Sequence, residues 1–129
     1  MTAAGSRTWQ PLATAPDVRV LTYSFGPGTA NSVAIGLASG SCLVISPPTK
    51  AFEETYAQIA DLGPVRWLVA PNGYHYLGQA EWRARFPEAV SLAPRGAHAR
   101  LSDKCSVPFV SLEEESDDLA PFRSFVPNA

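Results

Sequence analysis

Residues 65–86 read VRWLVAPNGYHYLGQAEWRARF, and the fold of the chain is decided in this stretch. Its first six residues are almost continuously apolar, which predicts an inner strand covered on both faces. A polar turn follows, and the residues after it predict a short helix that ends before a proline. At such a junction the end of the strand and the start of the helix open onto one crevice, where function tends to lie. His75 is the chemical candidate in this turn, and Asn72, Tyr74 and Tyr76 flank it.

The segments around this junction alternate between strand and helix patterns. Two early strands are joined by a turn at residues 38–41, so they are expected to pair as antiparallel neighbours. Gly63 and Pro64 predict the end of the helix that precedes the central strand. The rhythm of strand, helix, strand, helix and strand predicts an α/β fold. The predicted strands are residues 18–25, 31–37, 42–45, 65–70, 90–93 and 107–112, and the predicted helical segments are residues 50–62, 80–86 and 95–101.

Bulk composition excludes several classes of protein. A chain of 129 residues has the length of one domain and can bury a core without disulfides. Its net charge of -2 predicts no nucleic-acid partner. No apolar run approaches the roughly 18 residues of a membrane span, and the first residues lack the apolar stretch of a secretory signal. Cys42 and Cys105 are too few for a disulfide framework, so we expect a cytoplasmic protein in which Cys42, from an apolar run, is a buried thiol.

The strand and helix patterns divide the chain into three parts. Residues 1–16 are predicted to be a lead-in, which Trp9 and Leu12 would attach to the body. Residues 17–112 carry the strand and helix patterns, and residues 113–129 form an irregular tail. The tail opens with an acidic run at residues 113–118, and such runs usually lie in solvent.

The order of these elements resembles the first half of the metallo-β-lactamase fold. That superfamily carries the metal motif His-x-His-x-Asp-His at the end of an inner strand. With the last histidine of the motif placed on His75, the aspartate falls on Tyr74 and the two earlier histidines fall on Asn72 and Ala70. Gly78 then matches the glycine that opens the next helix. Three of the four ligand positions therefore hold no ligand chemistry.

The run at residues 70–77, with Trp82 downstream, is also similar to an uncharacterised branch of the superfamily whose metal motif is degenerate. The resemblance covers residues 9–100. It implies a layered α/β half-fold, in which a mixed β-sheet carries its helices on one face.

The resemblance also implies that something is missing, because the complete fold has two such halves whose sheets face each other. A lone half would expose the apolar inner face of its sheet, and monomers rarely expose patches that large. Either the chain is a fragment, or a second half-domain or a second copy of the chain covers this face. Pairing of two identical halves in a homodimer is one hypothesis, since two-fold pairing is the commonest assembly.

The residues themselves offer little for a metal ion. A zinc site needs three or four nitrogen, sulfur or carboxylate ligands at short range, and neither His75 nor His98 has a second ligand at typical spacing. We therefore expect no cofactor. His75 would hydrogen-bond at the end of the strand and orient the turn through Asn72, and His98 would lie at the surface. The residues predicted to line a binding pocket are Asn72, Tyr74, His75, Tyr76 and Gln79.

Two functions remain open at this point. In the first, the chain is a relative of metal-dependent hydrolases that has lost its binuclear metal site, and it binds a small molecule or serves as an interaction domain. In the alternative, it is part of a working hydrolase. His75 would then hold zinc or iron in a site that a missing C-terminal half or another subunit completes.

Overall fold

A computed structural model describes residues 8–25, 28–74 and 76–111 of the chain. Within these residues seven strands form a single sheet, and three α-helices pack on it. The strands are β1 (Gln10–Leu12), β2 (Ala15–Phe25), β3 (Gly28–Gly36), β4 (Cys42–Ile45), β5 (Val65–Val69), β6 (Val90–Ala93) and β7 (Val110–Ser111), and the helices are α1 (Glu53–Ala57), α2 (Gln79–Arg85) and α3 (His98–Lys104). None of these helices has the length and apolar character that a membrane crossing requires.

The sheet is mixed, and its strands lie side by side in the order in which they occur along the chain. β1 to β4 pair antiparallel, because short turns join them, whereas β4 to β7 pair parallel across connections that contain the helices. The predicted antiparallel pairing of the two early strands is confirmed, with Val33 opposite Ile45. The predicted α/β class with a mixed sheet is confirmed as well.

The main core lies between the sheet and the helices. Leu21 and Val44 on the sheet and Ile59 on the segment after α1 are almost fully buried in it. The rings of Tyr56 on α1 and Trp82 on α2 meet edge to face with their centroids 4.8 Å apart. The strand residues on this side share one core with residues of α1 and α2, so the predicted placement of helices on one face holds for these two helices.

The opposite face of the sheet carries a second apolar cluster of Leu43, Trp67, Val69 and Leu92. These four side chains are 0 to 3% exposed in the single chain, and partly buried apolar side chains of neighbouring positions pack against them. The centre of this face is therefore not the open apolar patch that the sequence predicts for a lone half. That a partner covers the face stays a prediction.

The largest difference from the predicted pattern concerns the helix predicted at residues 50–62. Lys50 has a φ of 58°, in the left-handed region, so a right-handed helix cannot begin there. α1 begins at Glu53 and ends at Ala57, and a separate 3₁₀ turn, Ala60–Leu62, follows it. In this second part the hydrogen bonds run to the third residue back, as from the Leu62 N–H to the Ile59 carbonyl at 3.0 Å.

Both ends of the described chain differ from the predicted pattern. Residues 10–16 of the predicted lead-in form β1 and the start of β2. Trp9 is buried as predicted, and its indole N–H donates to the Thr55 carbonyl at 3.0 Å, but Leu12 is 42% exposed. Of the predicted strand at residues 107–112, the described residues 107–111 form a strand at Val110–Ser111. Residue 112 and the tail at residues 113–129 lie outside the described residues.

Candidate functional site

The junction between β5 and α2 is held in place by the loop that follows β4. Gly78, just before α2, packs so closely on this loop that a Cβ atom would lie 2.0 Å from the Pro47 carbonyl oxygen. The indole N–H of Trp82 donates to the Pro48 carbonyl at 2.9 Å. The Glu81 carboxylate accepts the backbone N–H groups of residues 50 and 51, each at 2.7 Å. These contacts therefore fix the start of α2 against the loop that follows β4.

The turn itself is shaped by Asn72. Its side-chain oxygen accepts the backbone N–H of Tyr74 at 2.8 Å, which makes an Asx turn. Asn72 thus shapes the turn, and the predicted role of the histidine beside it stays a prediction. His75 lies outside the described residues.

A cavity of about 420 Å³ opens beside this turn. Three tyrosines line it: Tyr23 from β2, and Tyr74 and Tyr76 from the turn. Leu77 and the hairpin residues Thr29 and Ala30 complete the wall, and Arg100 reaches the cavity from α3. The cavity is thus built from the β2–β3 hairpin, the turn and α3, which only the folded chain brings together.

Arg100 is held against the turn at three points. Its Nε donates to the Gly73 carbonyl at 3.0 Å, and the carbon of its guanidinium lies 4.0 Å from the centroid of the Tyr74 ring. A Cβ atom on Gly73 would lie 2.9 Å from the Arg100 Cδ, so the alkyl stem of the arginine runs directly over this glycine. A guanidinium stacked on a ring in this way is a cation–π contact.

The residues predicted to line a pocket have different places in the structure. Tyr74 and Tyr76 line the cavity, and Asn72 shapes the turn that carries them. Gln79 is fully buried, and its side-chain oxygen accepts the Ser91 hydroxyl at 2.9 Å, so it joins α2 to β6. Sequence reasoning missed Arg100 and the residues from the β2–β3 hairpin. No local signal could have found them, because Arg100 is 27 residues away from the carbonyl that it binds.

No protein-family model and no curated protein matches the sequence. The fold, however, matches solved structures. The DIM-1 metallo-β-lactamase exposed to ceftazidime matches with a TM-score of 0.58 and 11% identity, over 84% of this chain and 54% of that one. The chain has the metallo-β-lactamase fold.

Two further structures with this fold give similar values. The FIM-1 metallo-β-lactamase from Pseudomonas aeruginosa, in its mono-zinc form, matches with a TM-score of 0.57 and 14% identity over 81% of this chain and 49% of that one. A metallo-β-lactamase from Hirschia baltica matches with a TM-score of 0.56 and 12% identity over 86% and 53%. The chain spans about half the length of these metallo-β-lactamases, as the sequence resemblance implies.

Three of the four positions that the sequence resemblance assigns to the metal motif, 70, 72 and 74, are among the described residues. Ala70 is apolar and fully buried, the Asn72 oxygen is used by the turn, and Tyr74 is stacked against a cation. Among the described residues no three His, Cys, Asp or Glu side chains come together in a group that could hold a metal. The Nε2 of His98 lies 3.1 Å from the Ala93 carbonyl oxygen, and this histidine is half-buried rather than at the open surface as predicted.

Proposed function

We propose that this chain is a metallo-β-lactamase-fold domain that has lost the binuclear metal site and binds a small molecule in the cavity beside the 72–78 turn. The observation that carries the proposal is the replacement of metal ligands at the motif turn by a guanidinium stacked on Tyr74. A positive charge at this place would repel a divalent cation and attract an anion. The same turn therefore supports ligand binding without metal chemistry.

The cavity supports the proposal in size and in lining. Ligand sites in proteins are concave, measure about 300–1,000 Å³, and are mostly apolar with a few polar groups that orient the ligand. At about 420 Å³, with three tyrosines and one arginine, this cavity has those properties. It also lies at the carboxyl end of a parallel strand, where ligands of α/β proteins bind.

We further propose the cytoplasm as its compartment. Cys42 and Cys105 are both free thiols, as expected of a protein that resides in a reducing environment.

Metal content tests the first half of the proposal. Protein purified without chelators is analysed for zinc and iron, and we expect far less than one ion per chain. The variant His75→Ala is expected to have the same metal content as the wild type. Near-stoichiometric zinc or iron that is lost in His75→Ala would overturn the proposal and favour a metal-dependent hydrolase.

Ligand binding tests the second half. A fragment library is screened by two-dimensional amide NMR, and we expect shift changes that cluster at the lining residues, Tyr74 and Tyr76 among them. Thr29→Trp places a large ring in the exposed wall of the cavity and is expected to abolish these changes. Ala84→Trp, at an exposed position of α2 outside the cavity wall, is the matched control. Fragments that bind Thr29→Trp as well as they bind the wild type would contradict the proposed site.

A further inference from the structure

The guanidinium of Arg100 is positioned by the fold, and no carboxylate of the described residues forms an ion pair with it. The ion pairs of the described residues join Arg19 to Asp61 and Arg85 to Glu53, and neither involves Arg100. No carboxylate is among the described residues that line the cavity. Within the part of the chain that the structure describes, no carboxylate therefore competes with a ligand for the positive charge at the cavity wall.

The contacts that hold Arg100 leave a defined set of donors. A guanidinium has five N–H groups, of which Nε carries one, and here Nε is used by the Gly73 carbonyl. The two terminal nitrogens carry the other four, and these have no partner among the described residues. Paired N–H groups of a guanidinium match the two oxygens of a carboxylate in a planar, bidentate arrangement. Because Tyr74 and Gly73 already fix the plane of the group, little conformational entropy is lost when the pair forms.

The rest of the wall favours a flat ring. Tyr23, Tyr74 and Tyr76 line the cavity, and aromatic rings prefer stacked or edge-to-face contacts with other rings. Leu77 and Ala30 add apolar surface without further charge. One cation among apolar and aromatic walls matches a ligand with a single negative charge.

We propose that the cavity binds a planar aromatic carboxylate, whose carboxylate pairs with the terminal nitrogens of Arg100 while its ring packs among the tyrosines. This inference rests on the proposed binding function of the same cavity and goes beyond it in naming the class of ligand. A phosphate dianion fits the site less well, because Arg100 is the one cationic side chain among its described lining residues.

The experiment compares matched probes by isothermal titration calorimetry. The probe is 2-naphthoate, and 2-naphthamide has the same rings without the charge. We expect 2-naphthoate to bind the wild type at least about tenfold more tightly than the amide, as a charge-assisted bidentate pair requires. Decahydro-2-naphthoate keeps the charge without the flat ring and is expected to bind severalfold more weakly than 2-naphthoate.

Variants assign the effect to Arg100. Arg100→Gln is expected to remove the preference for the carboxylate, so that acid and amide bind equally. Arg100→Lys keeps the charge but loses the planar pair of donors, and it is expected to fall between the wild type and Arg100→Gln. Lys104→Gln, an exposed charge change on the same helix, is the control and should leave the preference intact. Thermal melting of each variant checks that it is folded.

The outcomes separate the two proposals. Equal binding of acid and amide to the wild type would overturn the carboxylate assignment, although binding in the cavity would still be observed. Equal binding of 2-naphthoate and its saturated analogue would overturn the assignment of a flat ring. Displacement of 2-naphthoate by millimolar inorganic phosphate, beyond the effect of equal ionic strength, would overturn the assignment in favour of phosphate. If no fragment shifts any resonance of the cavity, the proposed binding function itself fails.

Discussion

Replacing Gly78 by alanine is expected to destabilise the protein severely, because the new methyl group has no room. Gly78 has a φ of -91°, which any residue can adopt, so the penalty does not come from backbone strain. The Cβ atom would lie 2.0 Å from the Pro47 carbonyl oxygen and 2.8 Å from its carbonyl carbon. To reach the roughly 3.5 Å at which non-bonded heavy atoms attract, the two backbone segments must separate by about 1.5 Å.

A separation of that size breaks the hydrogen bonds that join the loop to α2. These are the bond from the Trp82 indole to the Pro48 carbonyl and the two backbone bonds that the Glu81 carboxylate accepts. A hydrogen bond left unmade costs about 1–3 kcal/mol when its groups are buried. The bonds from the Trp82 indole and from the Ala51 N–H are the two whose groups are at least partly buried, and together they cost about 2–6 kcal/mol. Less the roughly 0.4–1 kcal/mol that alanine gains over glycine through the unfolded state, the net loss is about 1–5 kcal/mol.

Urea unfolding followed by tryptophan fluorescence measures this loss. With a slope of about 2 kcal/mol per molar urea, the midpoint is expected to fall by roughly 0.5–2.5 M. Gly36→Ala is the control, because its Cβ would lie 3.4 Å from the nearest atoms of Leu62, an ordinary contact. A midpoint for Gly78→Ala within the error of the wild type would refute the reasoning, since the loop and the helix would then not be in rigid contact.

Three further predictions concern pH, thiol chemistry and assembly. The hydrogen-bonded ion pair with Arg19 holds the pKa of Asp61 below its ordinary value of about 4, so this stabilisation is present above that pH and is lost as the pH falls through the folded-state pKa. The urea midpoints of the wild type and Asp61→Asn should therefore differ at pH 7 and converge as the pH is lowered through the folded-state pKa of Asp61. A difference that stays constant with pH would contradict the assignment. Burial raises the pKa of Cys42 to about 12, so this thiol should react little at pH 8 in the folded protein. A thiol reagent should therefore label half-buried Cys105 in the native protein and Cys42 only after unfolding. Equal labelling rates of the two cysteines in the native protein would contradict the burial of Cys42. Self-association through the second sheet face should give a dimeric mass by light scattering at micromolar concentration, and a monomeric mass would count against it.

The strands could be predicted from the sequence because their signals are local. The strands Cys42–Ile45 and Val90–Ala93 have the predicted bounds, since each is a short apolar run next to residues that favour turns or prolines. The helix at residues 50–62 could not be predicted in the same way. The left-handed backbone of Lys50 goes with a hydrogen bond to Glu81, 31 residues later, and no local pattern contains that contact.

The candidate site likewise combines residues that local patterns predict with residues that they do not. Tyr74 and Tyr76 were predicted because they lie in the turn that the strand and helix patterns define. Tyr23 and Arg100 were not predicted, because the sheet register and the packing of α3 bring them to the turn from 51 and 26 residues away from Tyr74. The sequence can therefore place a crevice at a strand end, but the charge that defines its chemistry comes from elsewhere in the chain.

The sequential order of the strands bears on how the chain folds during synthesis. Each strand from β2 to β7 pairs with the one made just before it, so the sheet can grow at its newest edge as residues leave the ribosome. None of the seven strands in the described residues has to be inserted between two that have already paired, which would require a paired edge to reopen. Nascent chains arrested at successive lengths should accordingly gain protection of one strand at a time, from the amino end.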